Sequence, residues 1–210
     1  VFLQVLATWI GKTSQQLISS KGGCLVASFE KAIKVVLEHE GAFVDDENDV
    51  GGATKYGISL TYLERENYAY EILDDIDFNK NNYIDSEDIR HMPIEVAKHI
   101  YRMCWWEKYR YGDINNDDLA TRVFDISVNI GPLRCHKILQ ESINKNLRQD
   151  FDIVVDGLMG PLTIATANGL CPATLSATFK ERVAEFYRSI CRKKPQRMKY
   201  LKGWLNRVYS

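Results

Sequence analysis

The chain has 210 residues, of which 45% are apolar, and its formal net charge is −1. That length allows one or two domains with a sizeable core. The near-neutral balance gives no sign of a nucleic-acid partner. Cysteines at 24, 104, 135, 171 and 191 are odd in number, widely spaced and free of any CxxC pair, so they read as reduced thiols rather than a disulfide framework.

The first residues, "VFLQVLATWIGKTSQQLISSKGG", lack a basic n-region and a small-residue cleavage site, which makes them a poor signal peptide. No run reaches transmembrane length. Residues 1–26 are therefore expected to be an extension outside the fold, with a short export or membrane-targeting signal as the alternative. "SFEKAIKVVLEHE" predicts the first helix. Ser28 is its N-cap, Phe29, Ile33, Val36 and Leu37 share one face, and Glu40-Gly41 ends it. An acidic, glycine-rich loop follows, and then "KYGISLTYLERENYAYEILDDI", a short turn or strand leading into a helix. Pro93 opens a long helix through "IEVAKHIYRMCWWEKY". "DDLATRVFDISVNIG", "LRCHKILQESINKNL", "ATLSATFKERVAEFYRSICRKK" and "MKYLKGWLNRVY" predict four more, with a tight turn and a short helix at "DGLMGPLTIATANGL". Strand-like alternation is scarce. The expected fold class is mainly α, with a small hairpin or loop region near residues 41–60. The expected division is 27–115 and 116–210.

Charge is unevenly distributed. Fifteen acidic side chains lie between Glu38 and Asp88, whereas ten basic and two acidic side chains lie from Lys180 onward. One reading is an acidic working region and a basic helix facing an anionic polymer or envelope surface; the other is two differently charged solvated faces. Within the acidic stretch, Asp77, Asn79, Asn81, Tyr83, Asp85 and Asp88 fall at positions 1, 3, 5, 7, 9 and 12 of an EF-hand-like loop. Calcium takes six to eight oxygens, and this spacing wraps them around one ion, Tyr83 giving its carbonyl. Asn82 replaces the usual glycine and Asp88 the usual longer glutamate. The expectation is weak, structural calcium binding at 77–88, against an acidic surface loop.

Glu40 ends an apolar helix, and Asp49 and Thr54 follow it across the glycine-rich loop. Glycosidic hydrolysis needs a protonated acid at the leaving oxygen and, in the inverting form, a second group that orients water. Partial burial and the negative end of a helix dipole favour a protonated carboxyl. By spacing alone, a helix-terminal surface acid is the competing reading. Trp105, Trp106, Tyr109 and Tyr111 form an aromatic cluster, which reads as core, with one or two rings free to face a sugar. Asn129 is either a structural cap or an amide that reads an N-acetyl group, and Tyr56 is a comparable substrate candidate. The histidines at 39, 91, 99 and 136 show no metal-ligand spacing, no Ser or Cys nucleophile pattern appears, and "GGATKYG" lacks the order of a phosphate loop.

"EHEGAFVDDENDVGGATKYGISL" resembles the HEGGY-type signature of glycoside hydrolase family 108, the muramidases of phages and bacteria. "IYRMCWWEKYRYGDI", "FDISVNIGP", "DGLMGPLTI" and "GWLNRV" resemble further blocks of that family, in the same order, the last two within its peptidoglycan-binding segment. The resemblance implies a lysozyme-like helical fold. It also implies hydrolysis of the β-1,4 bond between N-acetylmuramic acid and N-acetylglucosamine, with Glu40 as the catalytic acid. Asp49 and Thr54 match the acid–Asp–Thr order of phage-type lysozymes, where the latter two hold the attacking water, although the Asp-to-Thr gap is one residue shorter here. Ala42 stands for the second glycine and Phe43 for the tyrosine. The expected protein is an endolysin-like, monomeric hydrolase whose partner is peptidoglycan and whose catalysis needs no cofactor. It would be made in a bacterial cytoplasm and act in the periplasm or wall. A lytic transglycosylase and a non-catalytic binding or secretion accessory protein are the alternatives.

Overall fold

The structure, a computed structural model, describes residues 27–40, 53–63, 76–81, 83–147 and 151–210. Helix α1, Phe29–Glu40, buries Phe29, Ala32, Ile33 and Val36 on one stripe. Its start is fixed twice. The Ser28 hydroxyl accepts from the Lys31 N–H at 3.4 Å, and the Ser28 N–H donates to Asp117 at 2.7 Å. Strands β1, Thr54–Lys55, and β2, Ile58–Ser59, form an antiparallel hairpin, with Thr54 opposite Ser59 and Lys55 opposite Ile58. The two-residue loop between them is Tyr56-Gly57, both at positive φ (53° and 76°), the pattern a tight hairpin turn requires.

Helix α2, Ser86–His91, is short and carries a reciprocal capping box between Asp85 and Asp88. Helix α3, Ile94–Tyr101, starts after Pro93 as expected but does not continue as an α-helix. Residues Arg102–Glu107 form a π-helical turn instead, a wider winding that buries Cys104 and Trp106. A 3₁₀ turn at Tyr111–Asp113 follows. Helix α4, Asp117–Ile130, has its N-terminus capped by Asn116 and is buried along most of its length. Helices α5, Pro132–Asn146, α6, Pro161–Gly169, α7, Pro172–Lys193, and α8, Met198–Tyr209, complete the described chain. A proline sits in the first turn of α5, α6 and α7, where a missing N–H costs nothing.

Helix α4 is the axis of the packing. It lies against α1 on one side and α5 on another, α5 packs on α7, and α7 on α8. Leu119, Ala120, Val123, Phe124 and Ile126 of α4 are all shielded from solvent. Phe124 meets Trp106 edge-on at 5.5 Å, and Phe29 closes on the same indole at 5.7 Å. Each fully buried large apolar side chain contributes roughly 1.5–3 kcal/mol. Trp106 and Tyr111 are thus core, while Trp105 and Tyr109 remain partly buried at its edge, Trp105 stacked on Tyr62 at 5.0 Å. Among the described residues Cys135, Cys171 and Cys191 are free thiols, and no helix is long and apolar enough to cross a membrane.

Candidate functional site

Glu40 is the last residue of α1, and its side chain is 19% exposed. The hairpin tip presses against it. A Cβ placed on Gly57 would lie 2.7 Å from Glu40 Cγ, 2.8 Å from Glu40 Oε2 and 2.6 Å from the Tyr101 hydroxyl. Only a glycine gives the backbone both this approach and the positive φ. The tip is held in place from α3: the Tyr101 hydroxyl donates to the Tyr56 carbonyl at 2.9 Å. Burial, and then the negative charge of Glu40, push the Tyr101 phenol far above its ordinary range, so it keeps the proton it donates. Lys55 donates to the Arg90 carbonyl at 2.6 Å, which ties the base of the hairpin to α2.

The other face of Glu40 belongs to α8. Arg207 Nη2 donates to Glu40 Oε1 at 2.6 Å. The same guanidinium makes a two-pronged contact with Asp125 of α4, through Nε to Oδ2 at 3.0 Å and Nη2 to Oδ1 at 2.8 Å. His39 Nδ1 donates to Asp125 Oδ1 at 3.0 Å. Neighbouring side chains on a helix diverge, yet His39 and Glu40 rejoin through Asp125 and Arg207. Asp125 is 3% exposed and Arg207 9%. Burial by itself would lower the basicity of Arg207, but the bonds and charge of Asp125, with those of Glu40, outweigh it and raise the group above its usual range. Removing one partner of such a buried pair typically costs about 3–5 kcal/mol, because the other charge is left uncompensated.

The remaining predicted residues are distributed as follows. Thr54 lies on β1, three residues before Gly57, on the hairpin that touches Glu40. Asp49 lies outside the described residues. Tyr56 offers its carbonyl to Tyr101, and Lys55 sits over its ring at 5.3 Å. Asn129, near the end of α4, accepts from the Tyr187 hydroxyl at 2.6 Å through Oδ1. Tyr187 in turn stacks on Trp204 at 5.0 Å, so Asn129 belongs to the α4–α7–α8 junction. In the 77–88 loop, Asp88 is wholly buried and accepts from the N–H groups of Asn79 (3.2 Å) and Asp85 (2.8 Å). Asp77 accepts from the Asn81 N–H at 3.0 Å, and Asn81 from the Tyr83 N–H at 2.8 Å. Among the described residues no three carboxylate, imidazole or thiol side chains converge as a metal-binding group.

Arg207, Asp125 and Gly57 are the residues that motif reading left unassigned. The only sequence signal for two of them was their place inside "FDISVNIGP" and "GWLNRV", which carried no chemistry until folding brought them to Glu40.

Residues 33–131 match the family model described as Glycosyl hydrolase 108, and residues 134–209 match the one described as Predicted Peptidoglycan domain. No curated protein matches. The solved structure of Brucella abortus SagA is similar over 86% of this chain and 89% of its own, with a TM-score of 0.64 and 24% identity, which shows a shared fold. The first part of the chain, residues 33–131, is thus similar to glycosyl hydrolase family 108, and the second, residues 134–209, to a predicted peptidoglycan domain.

Proposed function

We propose that the chain is an N-acetylmuramidase of the endolysin type, cutting the β-1,4 bond between N-acetylmuramic acid and N-acetylglucosamine, with Glu40 as general acid. The reading rests on one observation: a single carboxyl group, one-fifth exposed, is clamped between a hairpin tip and a buried arginine. A group fixed in this way can meet a leaving oxygen in one geometry, and positioning of that kind lowers a barrier by limiting the motions that reaction must otherwise freeze. Because Oε1 is held by Arg207, Oε2 is the oxygen left to carry the proton. Asp49, with Thr54, would orient water on the opposite face of the sugar or stabilise the oxocarbenium-like transition state. Tyr56 and Asn129 are the proposed contacts to the N-acetyl groups. The basic face of α7, which includes Arg188, Arg192 and Lys193, would hold the enzyme against an anionic wall or envelope surface. The enzyme would be a monomer, made in a bacterial cytoplasm and acting on the wall after release.

Purified cell walls digested by the wild type and by Glu40→Gln provide the test. The variant should keep its fold and its wall binding and lose hydrolysis by several orders of magnitude, and the wild-type products should carry reducing muramic acid ends. Near-wild-type turbidity loss by Glu40→Gln would refute the assignment. Anhydro-muramyl ends would replace hydrolysis by transglycosylation.

A further inference from the structure

The peptidoglycan-domain match, 134–209, contains Arg207, and Arg207 touches Glu40 across 167 residues of sequence. A segment whose only task were to hold the wall would have no reason to bury a cation against the catalytic region's carboxylate. We propose that Arg207 is a positioning residue for Glu40, so that α8 completes the active site and the two matched segments form one catalytic unit. This rests on the Glu40 assignment above.

The arrangement itself argues for orientation. The Arg207 guanidinium is anchored to Asp125 by two parallel bonds, and Asp125 is anchored in turn by His39. Planar, two-pronged pairing fixes direction as well as distance, which a lysine ammonium does not do. The third contact of that fixed group is spent on Glu40 Oε1. Meanwhile Gly57 and the Tyr101 hydroxyl bound the space on the Oε2 side. Among the described residues, the titratable or charged groups facing Glu40 or its arginine are Arg207 from α8, Asp125 from α4, His39 from α1 itself and Tyr101 from α3, with the Tyr187 hydroxyl on α7 also in the field of Arg207.

The experiment compares Arg207→Lys, Arg207→Gln and Glu40→Gln on soluble peptidoglycan oligosaccharides, with kcat, KM and melting temperature measured for each. Arg207→Lys keeps the buried charge and loses the fork. Its kcat should fall by about 10²-fold, the size of effect that misplacing a reacting group produces, with KM within about two-fold, as for an interaction that acts on the transition state. Arg207→Gln should lose at least as much in kcat, again with KM within about two-fold. A purely structural arginine would lower the melting temperature and leave the kcat of the folded protein unchanged. Where Arg207→Gln does not fold, Arg207→Lys carries the test alone. The inference is overturned if both variants keep wild-type kcat, or if KM rises while kcat holds, with Glu40→Gln inactive. If Glu40→Gln itself stays active, it is the assignment of Glu40 that fails.

Discussion

From Phe29 to Asp113 the described chain changes direction often, through a two-residue-per-strand hairpin, a six-residue helix, a π-helical turn and a 3₁₀ turn. From Asp117 to Tyr209 it runs mostly as helices, the longest of 22 residues. The first region is pinned between its parts by polar bonds, Lys55 on the Arg90 carbonyl and Tyr101 on the Tyr56 carbonyl, and to the second region by Asp117 on the Ser28 N–H. The second is held by long apolar faces. The proposed acid sits in the first region, and the cation that fixes it comes from the second. Short elements allow a close approach to substrate, and long packed helices supply the rigidity that short elements cannot give themselves.

The strongest way to break this comparison, beyond Glu40 and Arg207 themselves, is at the hairpin tip. Gly57→Val adds side-chain atoms where a Cβ alone already overlaps Glu40 and Tyr101, at a φ of +76° that a branched residue resists. Wall hydrolysis should fall by about 10²-fold, by displacement of the carboxyl, while circular dichroism keeps the helical signal of the second region. A wild-type rate would show that the hairpin does not set the position of Glu40.

A smaller effect tests the rigidity of the second region. His136 on α5 is buried, with Nδ1 donating to the Gly157 carbonyl at 3.0 Å and Nε2 accepting from the Tyr111 hydroxyl at 2.7 Å. Burial pushes its pKa down to about 4, although the bond to Gly157 acts the other way. The unfolded imidazole titrates near 6.5, so the unfolded chain binds the proton first as pH falls. The stability from the neutral ring is complete above about pH 6.5 and is lost between there and about pH 4, up to about 3 kcal/mol in all. His136→Gln should be less stable at neutral pH and should lose less on acidification; denaturant melts at pH 7 and pH 4.5 measure the difference. Parallel losses in both proteins would remove His136 as the source.

The smallest effect is proposed for the 77–88 loop. Weak calcium binding to the folded chain should stabilise it by about 1.4 kcal/mol at ten times the dissociation constant. Thermal melts with calcium or with a chelator should therefore differ by a few degrees, and Asp77→Ala should abolish the difference. Identical wild-type melts across millimolar calcium would leave the loop as a capped surface turn.

The sequence determined much of this protein without help. The 3.6-residue stripe and the Ser28 cap dictated α1, prolines and apolar spacing dictated α3 to α8, and the end of α1 put Glu40 at a helix terminus. The order of short motifs carried the resemblance to glycoside hydrolase family 108, which residues 33–131 also match. Three things were decided by tertiary structure. The π-helical turn at Arg102–Glu107 continues an α-like pattern, and it is the packing of Trp106 against Phe29 and Phe124 that accompanies the wider winding. The partner of the Asn129 side-chain oxygen, the Tyr187 hydroxyl, lies 58 residues further on and was set by folding. Most of all, the cluster of Glu40, Gly57, Asp125, His39 and Arg207 has no sequence periodicity. Glu40 and Arg207 are 167 residues apart, and a charge pair of that span exists only once α1, α4 and α8 have packed.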